Sequence, residues 1–269
     1  MYKALTIAGS DASGGAGLEA DLKTFQEFGV YGMAAVTTIV TMTPDNWAHE
    51  VFPIDLSIIE KQIQTIVSTG VNATKTGMLG SAELVELVAH SIDKYELNNI
   101  VIDPVMVCKG VDDIMIPTAA QAIKELLVKR ATIITPNIIE AAYLADMKEI
   151  KNIADMQEAA EKIHALGAKI VIIKGGTRFS QEKAVDIIHY TKAQAPVTQI
   201  VSLDVISPAY NHGAGCTYSA ALAANLAKGH SPNTSILNTI EFIRAALQHS
   251  FPLNNFTGPL RHDAWRNCQ

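Results

Sequence analysis

Cysteine is scarce in this sequence: three residues in 269, Cys108, Cys216 and Cys268, with no Cys-x-x-Cys pair. That excludes a disulfide framework and a cysteine-built structural zinc site. Basic runs are missing as well. The 21 Lys and Arg stand against 27 Asp and Glu, a net charge of −6. This excludes the footprint of a nucleic-acid binder and works against adsorption to an anionic membrane. No apolar stretch reaches the roughly 18 residues of a membrane span. The N-terminus, Met1 to Ile7, runs into strand-like sequence with no basic leader or cleavage site, so a cytoplasmic protein is expected. Linkers, low-complexity tracts and repeats are also absent, and one domain spanning residues 1–269 is expected.

What is present is an alternation of two periods. Apolar, β-rich runs at 4–10, 33–43, 73–79, 99–105, 132–135 and 169–174 alternate with helical spacing at 17–28, 55–69, 81–95, 119–129, 137–145 and 156–166. Asp55 is a plausible N-cap for the second of these helices. Two runs, 184–190 and 198–205, follow without a helix between them and predict an antiparallel excursion. Helices at 216–227 and 234–248 close the chain. Continuously apolar strands alternating with helices imply an α/β fold, a mostly parallel sheet covered on both faces. In such folds ligands bind beyond the carboxyl ends of the strands.

The strongest chemical signal is Asn211-His212-Gly213-Ala214-Gly215-Cys216, opening a small-residue helix. Glycines let consecutive N–H groups converge, and the helix dipole adds partial positive charge there. Phosphoryl transfer needs fixed donors of this kind, because charge spreads over the oxygens of the transferred group. Gly213, Ala214, Gly215 and Cys216 are thus a candidate anion hole, with an ordinary glycine-rich helix start as the plain alternative. A thiol at a helix N-terminus has a mechanism for a lowered pKa, so Cys216 is a candidate base or nucleophile. His212, beside it, is a candidate substrate contact.

The first strand ends in a second glycine-rich turn, Gly9 to Gly17, without the Gly-Lys-Ser/Thr ending of a P-loop. Asp11 would repel a pyrophosphate here; it either holds the polar edge of a small acceptor or caps its own turn. Asp103 and Glu140 follow strands and could hold Mg²⁺, directly or through water. Lys174-Gly175-Gly176 adds a cation and backbone freedom at another strand end. Residues 106–116, with Cys108, Gly110 and two Asp, suit an active-site flap that excludes water.

Taken together, Ala8-Gly9-Ser10-Asp11, Gly14 to Gly17, Ala20 to Thr24, Lys75-Thr76-Gly77-Met78-Leu79, Asp103-Pro104-Val105-Met106, Thr135-Pro136-Asn137 and Gly213 to Thr217 resemble one family. The set is similar to the hydroxymethylpyrimidine/phosphomethylpyrimidine kinases and their pyridoxal-kinase relatives, in the ribokinase-like superfamily. The match runs from Ala4 to about Asp263. The resemblance implies a three-layer α/β/α sandwich, ATP as co-substrate, Mg²⁺, and transfer to a primary hydroxymethyl on a heteroaromatic ring. It implies an acceptor pocket of Asp11, Val40, Met42, Met78 and His212, and a nucleotide site of Asn137, Lys174, Gly175 and Gly176. Many relatives are dimers, so a homodimer is expected.

Within the family, Met42-Thr43 stands where thiamin-pathway enzymes commonly carry Gln-Asn, which removes a pyrimidine-reading amide. Cys108 and Cys216 together look like the double-cysteine branch of bacterial pyridoxal kinases. Most ribokinase relatives keep a catalytic Asp at the position of Cys216. A thiolate there suits an aldehyde substrate, to which it can add reversibly. The activity expected is phosphorylation of the 5′-hydroxymethyl of pyridoxal, pyridoxine and pyridoxamine, with a hydroxymethylpyrimidine kinase as the alternative. Glu19 departs from the family, where Gln is usual.

Overall fold

The structure, a computed structural model, describes residues 1–107, 114–207 and 209–267. In chain order its elements are β1 (Lys3–Asp11), α1 (Gly17–Glu27), β2 (Tyr31–Met42), β3 (His49–Pro53), α2 (Leu56–Val67), β4 (Ala73–Thr76), α3 (Ala82–Lys94), β5 (Ile100–Ile102), α4 (Pro117–Ala122), β6 (Ile133–Ile134), α5 (Ile138–Leu144), α6 (Ile153–Ala165), β7 (Ile170–Lys174), β8 (Lys183–Lys192), β9 (Ala195–Asp204), α7 (Ala214–Ala227), α8 (Pro232–Gln248) and α9 (Ala264–Asn267). The described residues form two compact units, one of 1–80, 91–101 and 206–269, the other of 81–90 and 102–205.

In the first unit the strand order is β3-β2-β1-β4-β5. β1 pairs in parallel with both β2 and β4. Ala4, Leu5, Thr6 and Ile7 of β1 are all fully buried. A strand covered on both faces has no use for alternation, which explains its continuous apolar run. α7 is buried along Thr217–Ala227, with Ala220, Ala221, Ala223 and Ala224 allowing close approach. A helix apolar all round is a core helix. Between α1 and β4 lies an ion pair, Lys75 Nζ to Asp21 Oδ2 at 2.8 Å, with both side chains excluded from water. Thr6 Oγ1 donates to the same carboxylate at 2.6 Å. Removing either partner would leave an uncompensated buried charge.

In the second unit the order is β6-β7-β8-β9, with β6 and β7 parallel. β8 and β9 are the antiparallel excursion anticipated, joined at Ala193 and Gln194, both with positive φ. Two such residues give a hairpin turn whose twist matches the strands. Sheets flanked by helices bear out the fold class expected. Asp55 does cap α2, accepting the Ser57 N–H at 2.8 Å.

Some boundaries move for local reasons. α4 begins at Pro117 and α8 at Pro232, where a missing N–H costs nothing in the first turn. The helical run expected to 129 leaves the α form at Ile123, passing through a π turn and a 3-10 turn to Arg130. β5 stops at Ile102, since Pro104 cannot extend a ladder and Val105 takes φ +35°. β3 was not anticipated: all five residues are exposed, so nothing in their pattern marks a strand. Its antiparallel pairing with β2 alone defines it. Among the described residues, no helix is long and apolar enough to cross a membrane.

Candidate active site

The first unit gathers Asp11, Val40, His212 and the start of α7. Asp11 ends β1, opposite Val40 in the parallel register. Its Oδ1 accepts the Ser13 N–H at 2.8 Å, and its Oδ2 accepts the Ala16 N–H and the Ser13 hydroxyl, both at 2.9 Å. His212 Nε2 lies 2.8 Å from the same Oδ2. Burial alone would raise this carboxyl; the bonds from His212 and Ser13 outweigh it and hold the pKa down to about 2. Asp11 is thus an anion that shapes its own turn, the capping role foreseen as one alternative. Glu19 completes the device, accepting from the Ser10 hydroxyl at 2.6 Å and the Asp11 N–H at 2.8 Å. That is what the departure from Gln supplies: two carboxylate oxygens, both received by donors of the turn.

His212 is half-buried and pinned by its own backbone, donating to Gly258 O at 3.1 Å. Gly213 caps α7 with φ +79°, and a Cβ there would lie 1.9 Å from Gly15 O. Only glycine fits both the left-handed backbone and the close approach. The first turn of α7 opens beside the Asp11 turn, with the Ala214 N–H donating to Asn211 O at 3.1 Å. Cys216 is half-buried in that first turn. The next residue braces it: Thr217 Oγ1 donates to Gly213 O at 2.8 Å and lies 3.0 Å from His262 Nε2. Burial, then the Lys23 charge, hold His262 down to about 4, so this imidazole is neutral. Val40 and Met42 are half-buried two residues apart on one face of β2. Met78 is half-buried, its carbonyl accepting from Thr37 Oγ1 at 2.9 Å.

The second unit gathers Asp103, Asn137, Glu140, Lys174, Gly175 and Gly176. Lys174 Nζ reaches Asp103 Oδ1 at 3.1 Å, with the lysine side chain only 19% exposed. It is no surface lysine. Asn137 caps α5, accepting from the N–H groups of Ile139 and Glu140 at 2.9 and 3.0 Å. Glu140 returns the bond, its Oε2 accepting the Asn137 N–H at 2.9 Å. Its Oε1 accepts the Met106 N–H at 3.0 Å, which fixes the loop after Asp103. Burial raises the Glu140 pKa, against the opposing pull of Lys174. Val105, β-branched with φ +35°, is strained, and the Met106–Glu140 bond holds the chain beside it. The bridge between Asn137 and Lys174 places α5 and β7 ends side by side.

Would Mg²⁺ fit these groups? Asp103 and Glu140 offer hard carboxylate oxygens, and Mg²⁺ is commonly held by one or two such groups plus waters and substrate phosphates. Each Glu140 oxygen spends one lone pair on a backbone N–H and keeps another, which suits contact through water. Among the described residues no cluster of three or more His, Cys, Asp or Glu forms a dedicated cage. Cys108, and residues 108–113 of the expected flap at 106–116, lie outside the described residues. The flanks of that segment meet, the Met115 N–H donating to Met106 O at 2.9 Å.

Four contributors escaped the sequence reading: Glu19 as a brace, Thr217 with His262, and Asp186. Asp186 on β8 accepts the Gly175 N–H at 3.0 Å. Its signal was a lone carboxylate inside the apolar run Ala184 to Ile188. Glu140 had one too, since Asn-x-x-Glu before an apolar run is a capping box.

This chain matches the family model described as phosphomethylpyrimidine kinase over residues 11–261. It is 52% identical over 268 residues to a pyridoxine kinase of Bacillus subtilis, covering 99% of this chain and 97% of that one. A hydroxymethylpyrimidine/phosphomethylpyrimidine kinase of the same organism is 38% identical over 267 residues, covering 99% and 96%. Among solved structures, Bacillus subtilis pyridoxal kinase in complex with ADP superposes with a TM-score of 0.94 at 52% identity, covering 99% of each chain. The fold is therefore ribokinase-like, and the chain belongs to the phosphomethylpyrimidine kinase family.

Proposed function

We propose that this chain transfers the γ-phosphoryl group of ATP to the 5′-hydroxymethyl of pyridoxal, and of pyridoxine and pyridoxamine. The observation that carries the reading is the end-to-end 52% identity with a pyridoxine kinase, against 38% for a pyrimidine kinase. The N–H groups opening α7 receive the oxygens of the transferred group, and the helix dipole favours their charge. Cys216, at that same terminus, takes the proton of the attacking hydroxyl, with Cys108 assisting from the flap. The Asp11–His212 pair holds the acceptor's polar edge, with Val40, Met42 and Met78 as its apolar walls. Lys174, Asn137, Gly175 and Gly176 serve the nucleotide. Mg²⁺, when bound through Asp103 and Glu140, neutralises phosphate charge.

The same reading takes residues 1–269 as one cytoplasmic kinase domain with its flap at 106–116, acting as a homodimer. Ile39, Val51 and Phe52 on the β2–β3 pair and Ile58 on α2 are between 41% and 52% exposed, an apolar surface suited to a second copy. The alternative, a hydroxymethylpyrimidine kinase, rests on the shared family. Steady-state kinetics with pyridoxal and hydroxymethylpyrimidine side by side decide between them. A higher kcat/KM for pyridoxal is expected; a clear preference for the pyrimidine would sink the vitamin B6 reading.

A further inference from the structure

Asp186 is a half-buried carboxylate for which the phosphoryl-transfer reading has no use. In the antiparallel pairing of β7 with β8 it stands directly opposite Lys174. Its Oδ1 accepts the Gly175 N–H at 3.0 Å. The turn is closed from the other side, with the Val185 N–H donating to Gly176 O at 2.9 Å and the Arg178 N–H to Gly175 O at 3.2 Å. It also resists drift, because a Cβ on Gly175 would lie 2.2 Å from Val185 O, and Gly176 has φ +52°. The backbone of Lys174 is tied in turn to Pro136 O at 2.9 Å, next to the Asn137 cap. Each backbone N–H donates once, so the Gly175 amide engaged by Asp186 is not part of a phosphate cradle. What the turn offers a nucleotide is its fixed shape and the Lys174 ammonium that precedes it.

We propose that Asp186 is a positioning residue for nucleotide binding: opposite Lys174 in the β7–β8 pair, it holds the Lys174–Gly176 turn through the Gly175 amide and thereby sets the direction of Lys174. Burial raises its pKa, and the backbone amides of the turn and the Lys174 charge oppose that rise. The inference rests on the kinase reading for its assay, but not for its physics.

Kinetics of the wild-type chain and two variants test it. Asp186→Ala removes the acceptor; the KM for ATP is expected to rise about tenfold while that for pyridoxal stays within about twofold. Asp186→Asn keeps an acceptor oxygen for the Gly175 amide and is expected to remain within about threefold of wild type. A rise in both KM values together, no rise in either, or Asp186→Asn as impaired as Asp186→Ala would overturn the proposal. If Asp186→Ala does not fold, Gly175→Ala displaces the same turn through Val185 O and must show the same ATP-only defect, or the proposal fails. Calorimetric titration of ADP into wild type and Gly175→Ala separates the two readings. A wild-type chain inactive on pyridoxal refutes the activity. An unaltered ADP affinity on displacing the turn by Gly175→Ala refutes the role of Asp186.

Discussion

Lowering the pH from 8 to 5 should weaken the first unit through one residue, His262. The ring is 7% exposed and carries a pKa of about 4 in the folded chain, against 6.5 for an unperturbed histidine. Between those values the unfolded chain binds a proton that the folded chain refuses. Stability is therefore full above about pH 6.5 and falls as the pH drops toward 4. A separation of roughly 2.5 pH units, at about 1.4 kcal/mol each, gives about 3 kcal/mol at the acid end and about 2 kcal/mol at pH 5. Asp11 does not contribute there, because its lowered pKa loses stability only as the pH falls below the ordinary carboxylate range toward about 2. His189 is also depressed by burial and acts in the same direction. The control is therefore His262→Gln, which keeps a donor for Thr217 and removes the titration. Urea unfolding followed by circular dichroism at pH 8 and pH 5 is the assay. Wild type should lose about 2 kcal/mol more than His262→Gln between the two pH values. Equal losses would refute the assignment of the acid sensitivity to this ring.

The remaining expectations concern turnover and packing. Cys216→Ala should cut kcat about 10²- to 10³-fold while ADP still binds by calorimetry, and near-normal turnover would end its catalytic role. Gly213→Ala places a Cβ 1.9 Å from Gly15 O at φ +79°, so the first turn of α7 must shift. Loss of turnover with a stability cost of about 1–3 kcal/mol is expected, and an unaltered kcat would show that the turn does not set the donors. Glu140→Gln must turn its NH₂ toward either the Met106 or the Asn137 N–H, both of which now meet carboxylate oxygens. That should cost about 1–3 kcal/mol in urea unfolding, and no change would mean the loop after Asp103 is held otherwise.

The elements legible in the sequence are those whose burial is lopsided or complete. β1 declares itself by an unbroken apolar run and α2 by Ile59, Ile63 and Ile66 facing the core. β3 is silent because its partner β2, not its own composition, makes it a strand. The site divides along a similar line. Gly213 to Cys216 is local, a helix start whose chemistry is written in consecutive residues. Its support is not: His262 reaches Thr217 across 45 positions, and His212 reaches Asp11 across 201. Carboxylates are where sequence is most ambiguous, since the same side chain serves a substrate, a metal or a backbone. Asp11, Glu19, Glu140 and Asp186 all accept backbone N–H groups in the fold. Each builds the loop from which a neighbour acts, so removing one should move a KM before it touches the chemical step. On the proposed reading, Cys216 at the α7 terminus, and Asp103 with Lys174 in the other unit, instead face charge that develops during transfer. A variant series separating KM from kcat at these two sets of positions would show whether that division of labour holds.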